Sequence, residues 1–414
     1  MFLDTLPLAF VLAGIVLYVV LGGADFGAGI WQMLSGPGER GERIREHAHH
    51  SMGPVWEANH VWLIFVITVA WTAYPTLVGS TASTLAAALF IAGLGIILRG
   101  ATYALRGGLT GGRPLILLEG AFAIASIITP FALGAAAGAI AAERVPVGNA
   151  AGGLFSSWTG PVSILVGALS VAFAAYLAAV YLCADAVRRG EPDMEEAFRR
   201  RALAAGLVAG ALSVAGLIVV HADARSLYTG LTHGGGLAMV IISILAGVVT
   251  MALVVVRRFE VARASAAVAV SAVIAGWAFA RYPVLLPGLT VRQAAAGHDT
   301  MICVVVAVLA GGAILFPSLG LLFTLMLRGH LGPAGPDPAD ADAGAGAGAG
   351  VPLRELIGPA LGLRLAIAFL IVGVGLLNAA NAPWAHIIGV VSLFGFVLVG
   401  FAAIVPRAVM ADEP

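Results

Sequence analysis

The chain has 414 residues, 60% of them hydrophobic and only 11% charged, with a formal net charge of +0. A soluble domain carries roughly 25% charged residues, so this composition excludes a soluble globular protein and points to a polytopic membrane protein. A neutral chain without a basic surface also gives no footing for a nucleic-acid partner.

Apolar stretches of about 18 or more residues mark membrane spans. They fall at 6–33, 54–74, 80–105, 115–142, 160–187, 202–220, 236–256, 264–280 and 300–327, and again at 363–381 and 385–406. The fold expected is therefore an all-α polytopic membrane protein. The first stretch carries Asp4, no basic n-region and no small-x-small cleavage site, so it should stay as a helix and not be removed as a signal. Tyr18 to Asp25 late in the first span is echoed by Tyr181 to Asp185 late in the fifth. That echo fits a nine-helix core of two four-helix bundles plus one peripheral helix, with two additional C-terminal transmembrane helices. The 54 glycines suit close helix packing, where small residues let backbones approach.

Seventeen of the 22 arginines fall in loops after odd-numbered spans or at the C-terminus, and four (Arg144, Arg225, Arg281, Arg292) in the opposite loops. The positive-inside rule then places the N-terminus outside and the C-terminus in the cytoplasm. Residues 331–350 are rich in Pro, Asp, Ala and Gly, a composition that forms no core. We divide the chain accordingly into a core at 1–330, a flexible cytoplasmic linker at 331–362 and a two-helix extension at 363–414.

Polar residues inside the spans single themselves out. Ionisable groups there cost about 2.5–3.5 kcal/mol each at a bilayer centre and are functional candidates by default. The stretch Gly53–Trp62 carries Glu57, Asn59 and His60 into the second span, and helical spacing puts Trp56, Glu57 and His60 on one face. Asp25 lies among Gly22, Gly23, Gly27 and Gly29, which implies a close helix crossing or a local break in the helix. The topology brings Asp25, Glu57 and Arg99 to one layer near the cytoplasmic side. His47, His49 and His50 sit among Arg and Glu at 35–51 and are expected in a solvated loop, not at a metal. Cys183 and Cys303 fall in apolar runs and are expected to be small buried packing residues without a disulfide between them. No histidine pair suited to haem is evident. Taken alone, these residues fit a proton-coupled secondary transporter acting as a single chain or a purely structural polar cluster.

The block Gly53-Pro-Val-Trp-Glu-Ala-Asn-His-Val-Trp-Leu63, with Tyr18–Gly29 before it, resembles subunit II of the bacterial cytochrome bd-type quinol oxidases. Leu98-Arg99-Gly100, Tyr282-Pro283, Leu289-Thr290-Val291 and Phe316-Pro317-Ser318-Leu319 extend the resemblance, which covers about residues 1–330. It implies a haem-free subunit in the bacterial inner membrane that packs on a haem-bearing subunit I. The complex oxidises quinol and reduces dioxygen to water. The b-type and any d-type haems would be held by the partner, with no cofactor ligands in this chain. Small accessory subunits, lipid and quinone are further expected partners. The resemblance also implies roles for single residues. Glu57 would be a carrier on a proton path from the cytoplasm. Asp25, Trp56, Asn59, His60 and Arg99 would support that path or the assembly around it, and Trp62 would line an oxygen route. The family's usual chain ends soon after its ninth helix, so residues 331–414 depart from the pattern.

Overall fold

The computed structural model describes residues 2–106, 113–327, 359–379 and 383–404. The predicted linker lies outside them as far as residue 358. The chain divides into two units, 1–324 and 325–414, and each is described by itself.

The first unit comprises α1 (Phe2–Met33), α2 (Gly38–Ala73), α3 (Pro75–Thr84), α4 (Ala86–Arg106), α5 (Arg113–Ala141), α6 (Pro161–Arg189), α7 (Pro192–Asp223), α8 (Arg225–Thr232), α9 (Gly234–Val255), α10 (Phe259–Arg281), β1 (Val284–Leu286), β2 (Leu289–Thr290), α11 (Val291–Ala294) and α12 (His298–Leu327). Helix α1 packs on α2, α5 and α6, and α4 packs on α5; α6, α7, α9 and α10 close a second bundle. The strands form one short antiparallel hairpin, a small addition to an otherwise helical architecture. Among the described residues, eight helices are each long and apolar enough to cross a membrane, and a bent pair, Asn59–Ala73 with Pro75–Thr84, brings the number to nine. This is an all-α polytopic membrane protein.

The packing of α1 on α6 explains the glycines around Asp25. A Cβ on Gly27 would run into the carbonyl of Ala174, and one on Gly23 would meet Leu177 at 2.9 Å. The two backbones therefore approach as closely as small residues allow. Of the two expectations for this stretch, the close crossing is the one observed; α1 runs unbroken through it.

Two predicted boundaries need correction. The third span was expected from residue 80, yet 80–84 belong to α3, and α4 begins at Ala86. Pro75 disfavours helical backbone at Tyr74, which adopts φ −135° and ψ 62°, and the chain turns by 118° there. Tyr74 is fully buried and its hydroxyl donates to the Asp4 carbonyl at 2.7 Å, which anchors the bend.

The second correction concerns 35–51, expected as a solvated loop, which is helical from Gly38 onward. Gly41, Ile44, His47 and Ala48 lie on one face and are buried. Spacing of three and four residues is the amphipathic signature, here masked by the charges on the opposite face. His47 is 4% exposed, with Nδ1 2.9 Å from a Glu191 carboxylate oxygen and Nε2 3.1 Å from the Leu182 carbonyl. Ser51 donates to Asp185, and Arg43 pairs with Asp193 at 3.3 Å, so the start of α2 is tied to α6 and α7. The turn between those helices has Gly190 in the left-handed region at φ 69°, followed by Pro192 in the first turn of α7.

Both cysteines are free thiols. Cys183 is buried as expected, but Cys303 is exposed, because α12 joins the core through Met301 and Val304 on its other face.

The second unit contains α13 (Pro359–Ala379) and α14 (Pro383–Ile404), which pack on each other. A Cβ on Gly373 would meet the Leu393 side chain at 2.7 Å, so small residues again set the helix approach. The apolar stretches described in this pair are 364–373 and 387–396, each shorter than a full span.

Candidate functional site

Arg99 is the largest fully buried side chain in the described chain, at 1% exposure, and Asp25 is equally buried. Two such charges persist in an apolar bundle only when each finds a partner. One guanidinium nitrogen of Arg99, Nη2, donates to Asp25 Oδ1 at 2.5 Å and to the Asp25 carbonyl at 3.1 Å. The other, Nη1, donates to Ser126 Oγ, whose own proton goes to the Phe122 carbonyl at 2.6 Å. The guanidinium is sandwiched between the rings of Phe26 and Phe122, 4.7 and 4.3 Å from their centroids. Gly29 makes room for it, since a Cβ there would collide with Ser126 and lie 2.9 Å from Arg99 Nη1.

Beside this pair is a cavity of about 10 Å³ lined by Tyr18, Asp25, Phe26, Asn59, His60, Leu63, Ile96 and Arg99. That is room for about one water. Gly22 opens space for Asn59, whose amide nitrogen a Cβ would meet at 2.8 Å. Two buried polar atoms on this lining, Tyr18 Oη and Asn59 Oδ1, have no hydrogen-bond partner among the described residues. The opening can thus offer a water a hydroxyl, an amide oxygen and a carboxylate.

Four of the predicted residues, Asp25, Asn59, His60 and Arg99, therefore meet around one polar opening. Trp62 is half-buried on α2 and stands edge-on to Phe65, with centroids 6.0 Å apart; it is not on the cavity lining. The backbone of Trp56 and Glu57 belongs to α2, while their side chains lie outside the described residues. Tyr103, Ser126 and Glu119 were missed. Tyr103 donates to Asp25 Oδ1 at 3.2 Å, and nothing in local sequence marks it or Ser126. Glu119 carried a legible signal, an acid inside a predicted span.

Of the three histidines at 47–50, His47 is committed to Glu191 and Leu182, and His49 stacks on Tyr103 with centroids 5.6 Å apart. The His50 side chain lies outside the described residues. Among the described residues, no three His, Cys, Asp or Glu side chains gather as a metal site would require.

Comparison with known proteins decides the family. The model for "Cytochrome bd terminal oxidase subunit II" matches residues 3–326. The chain belongs to that family. It also resembles a chain from "The structure of bd oxidase from Geobacillus thermodenitrificans", with a TM-score of 0.61 at 23% identity, covering 79% of this chain and 99% of that one. At that identity the likeness concerns the fold. Among functionally curated proteins, none matches the sequence. The bd oxidase subunit II described here is thus a component of an oxidoreductase complex and an integral protein of the bacterial inner membrane. Residues 327–414 lie beyond the family match.

Proposed function

We propose that this chain is the haem-free second subunit of a quinol-oxidising bd complex, and that it supplies a proton path from the cytoplasm for reduction of dioxygen to water. Reduction of one dioxygen to two waters consumes four protons, and an apolar bundle passes them only through polar or hydrated interruptions. The observation that carries the reading is the Asp25–Arg99 pair opening onto a water-sized polar cavity shared with Asn59 and His60. Glu57 lies one helical turn before His60 on α2 and is the proton carrier in this reading. Trp56 supports the same region, and Trp62 lines an oxygen route.

The haems reside in subunit I, on which this chain packs, with lipid, quinone and small accessory subunits as further partners. The N-terminus lies outside and the C-terminus in the cytoplasm, so the cavity belongs to the cytoplasmic half. Residues 1–330 form the oxidase core, 331–362 a linker and 363–414 a transmembrane extension. A single-chain proton-coupled transporter is not favoured by membership of an oxidase family.

The test is Glu57→Gln within the intact complex. Quinol-dependent oxygen consumption per assembled complex is expected to fall by about a hundredfold or more, the usual scale for losing a proton-transfer group. A wild-type rate in a complex of normal haem content overturns the role. Lower assembly at unchanged turnover makes the cluster structural only.

A further inference from the structure

A second opening lies next to the first, lined by Gln32, His49, Thr102, Tyr103, Glu119 and Phe122, and it too holds about 10 Å³. All but Phe122 of these side chains carry a polar group. The buried Gln32 Nε2 has no hydrogen-bond partner among the described residues. The two openings are separated by one hydrogen bond: Tyr103 lines the second, Asp25 lines the first, and the Tyr103 hydroxyl donates to Asp25 Oδ1 at 3.2 Å.

Helical spacing orders them along the bundle. Gln32 follows Asp25 by seven residues on α1, about 10 Å further towards that helix's end. Tyr103 follows Arg99 by one turn towards the end of α4 at Arg106. Glu119 precedes Ser126 by two turns and lies near the start of α5 at Arg113. The second opening is therefore nearer the end of α1 and the arginine-bearing ends of α4 (Arg106) and α5 (Arg113), and the first lies deeper. Along one face of α5, Glu119 reaches the outer opening, Phe122 meets the Tyr103 ring edge-on and lies under the Arg99 guanidinium, and Ser126 holds that guanidinium.

We propose that Glu119 is the inlet of the proton path, and that Tyr103 hands protons from the outer opening to Asp25. This rests on the proton-path reading above and adds to it a place of entry and a relay. A proton taken up by the Glu119 carboxylate passes to a water in the outer opening. That water protonates the Tyr103 phenol oxygen as the existing O–H proton moves to Asp25 Oδ1. One O–H bond forms as another breaks, and Tyr103 ends as it began. Protonated Asp25 leaves Arg99⁺ without its counter-charge, so the proton is driven onward to the water-sized site beside Asn59 and His60 and is not stored. Stacking on His49 and edge contact with Phe122 fix the phenol in the plane this transfer needs.

The experiment uses the complete complex, with haem content measured for each preparation. Glu119→Gln and Tyr103→Phe are expected to lower turnover per haem by about a hundredfold, with the quinol KM unchanged. Both should raise the solvent deuterium isotope effect on turnover, because proton uptake becomes limiting. Glu119→Asp should restore part of the rate. Tyr103→Phe keeps the ring and its stacking and removes only the hydroxyl, so it serves where Glu119→Gln fails to assemble. Wild-type turnover and isotope effect in either variant overturn the proposal. If Glu57→Gln slows the complex while Glu119→Gln and Tyr103→Phe do not, the inlet is wrong and the path stands. If all three leave turnover intact, both readings fall.

Discussion

At the scale of single residues, Asp25 and Arg99 show how a membrane protein keeps charge in its interior. Neither carries a free charge: the carboxylate takes the guanidinium and a phenol, and the guanidinium takes a carboxylate, a carbonyl and a hydroxyl. Breaking a buried pair by removing one partner typically costs about 3–5 kcal/mol, because the other charge is left uncompensated. Asp25→Asn should therefore lower the yield and thermal stability of the complex through Arg99, separately from any effect on proton transfer. The double variant Asp25→Asn/Arg99→Gln should recover part of that stability, measured by thermal unfolding followed at the haem band. Equal losses in the single and double variants would show that the pair matters for shape and not for charge. Sequence reasoning reached this pair from depth alone, since three helices bring Asp25, Glu57 and Arg99 to one layer. The choice of Asp25 by Arg99, and the holding of the guanidinium by Ser126, depend on contacts between helices that no local pattern encodes.

A second residue-scale case lies in the loop after α5. Glu143 sits at φ 61° and accepts from Ser226 at 2.7 Å and from Arg281. The Ser226 hydroxyl first, and the Arg281 guanidinium beside it, hold the Glu143 carboxyl below the usual glutamate range. A folded-state value below the unfolded one stabilises the fold above the ordinary carboxylate range, and that contribution is lost as pH falls through the lowered value. The Glu143 side chain is 42% exposed, so solvent screening limits the effect to about 1 kcal/mol or less. Glu143→Gln should be slightly less stable than wild type near neutrality, and the gap should close on acidification below about pH 4. Parallel thermal melts across that range would show it, and a gap that widened on acidification would reverse the assignment.

At the scale of elements, the informative features are approach distances. Gly27 sits where the α1 backbone meets the Ala174 carbonyl, and an added methyl has nowhere to go. Gly27→Ala should cost about 1–3 kcal/mol as overpacking between two rigid helices, and more if the crossing opens. Gly93 in α4 is the control, because a Cβ there would meet nothing within 4 Å. Gly93→Ala should be neutral or slightly stabilising through helix propensity. Yields of assembled complex for the two variants would separate packing from a general intolerance of substitution. The glycine density of α1 was legible in the sequence, but not whether it meant a crossing or a break. That was decided by the alanines of α6, far away in sequence. The helical start of α2 was hidden for the opposite reason. Its buried face consists of Gly41, Ile44, His47 and Ala48, of which only Ile44 reads as strongly apolar, so a helix tied down by ion pairs resembles a loop. At Tyr74–Pro75 the bend had a local cause, since proline restricts the residue before it, and the motif was available to be read.

At the scale of the whole molecule, the core and the extension answer to different constraints. The family match ends at residue 326, and contacts divide the chain at 324–325. The residues we place on the proton path (Glu119, Tyr103, Asp25, Asn59, His60 and Glu57) all lie within the first unit. The architecture of that unit followed from apolar length alone, because a helix in lipid must satisfy its own backbone and can do little else. The site did not follow in the same way, because polar residues in lipid are placed by partners and not by period. If the extension only covers surface, a chain ending after residue 330 should assemble with its partner subunit and consume oxygen at the rate of the full-length complex. Removing α13 and α14 would then lower thermal stability at most, since no relay residue is lost. Loss of haem from the truncated complex, or turnover reduced several-fold at normal haem content, would instead give the last two helices a part in assembly or catalysis. A chain lacking 331–414, compared with full length for haem content and oxygen consumption in the same membrane preparation, separates these outcomes.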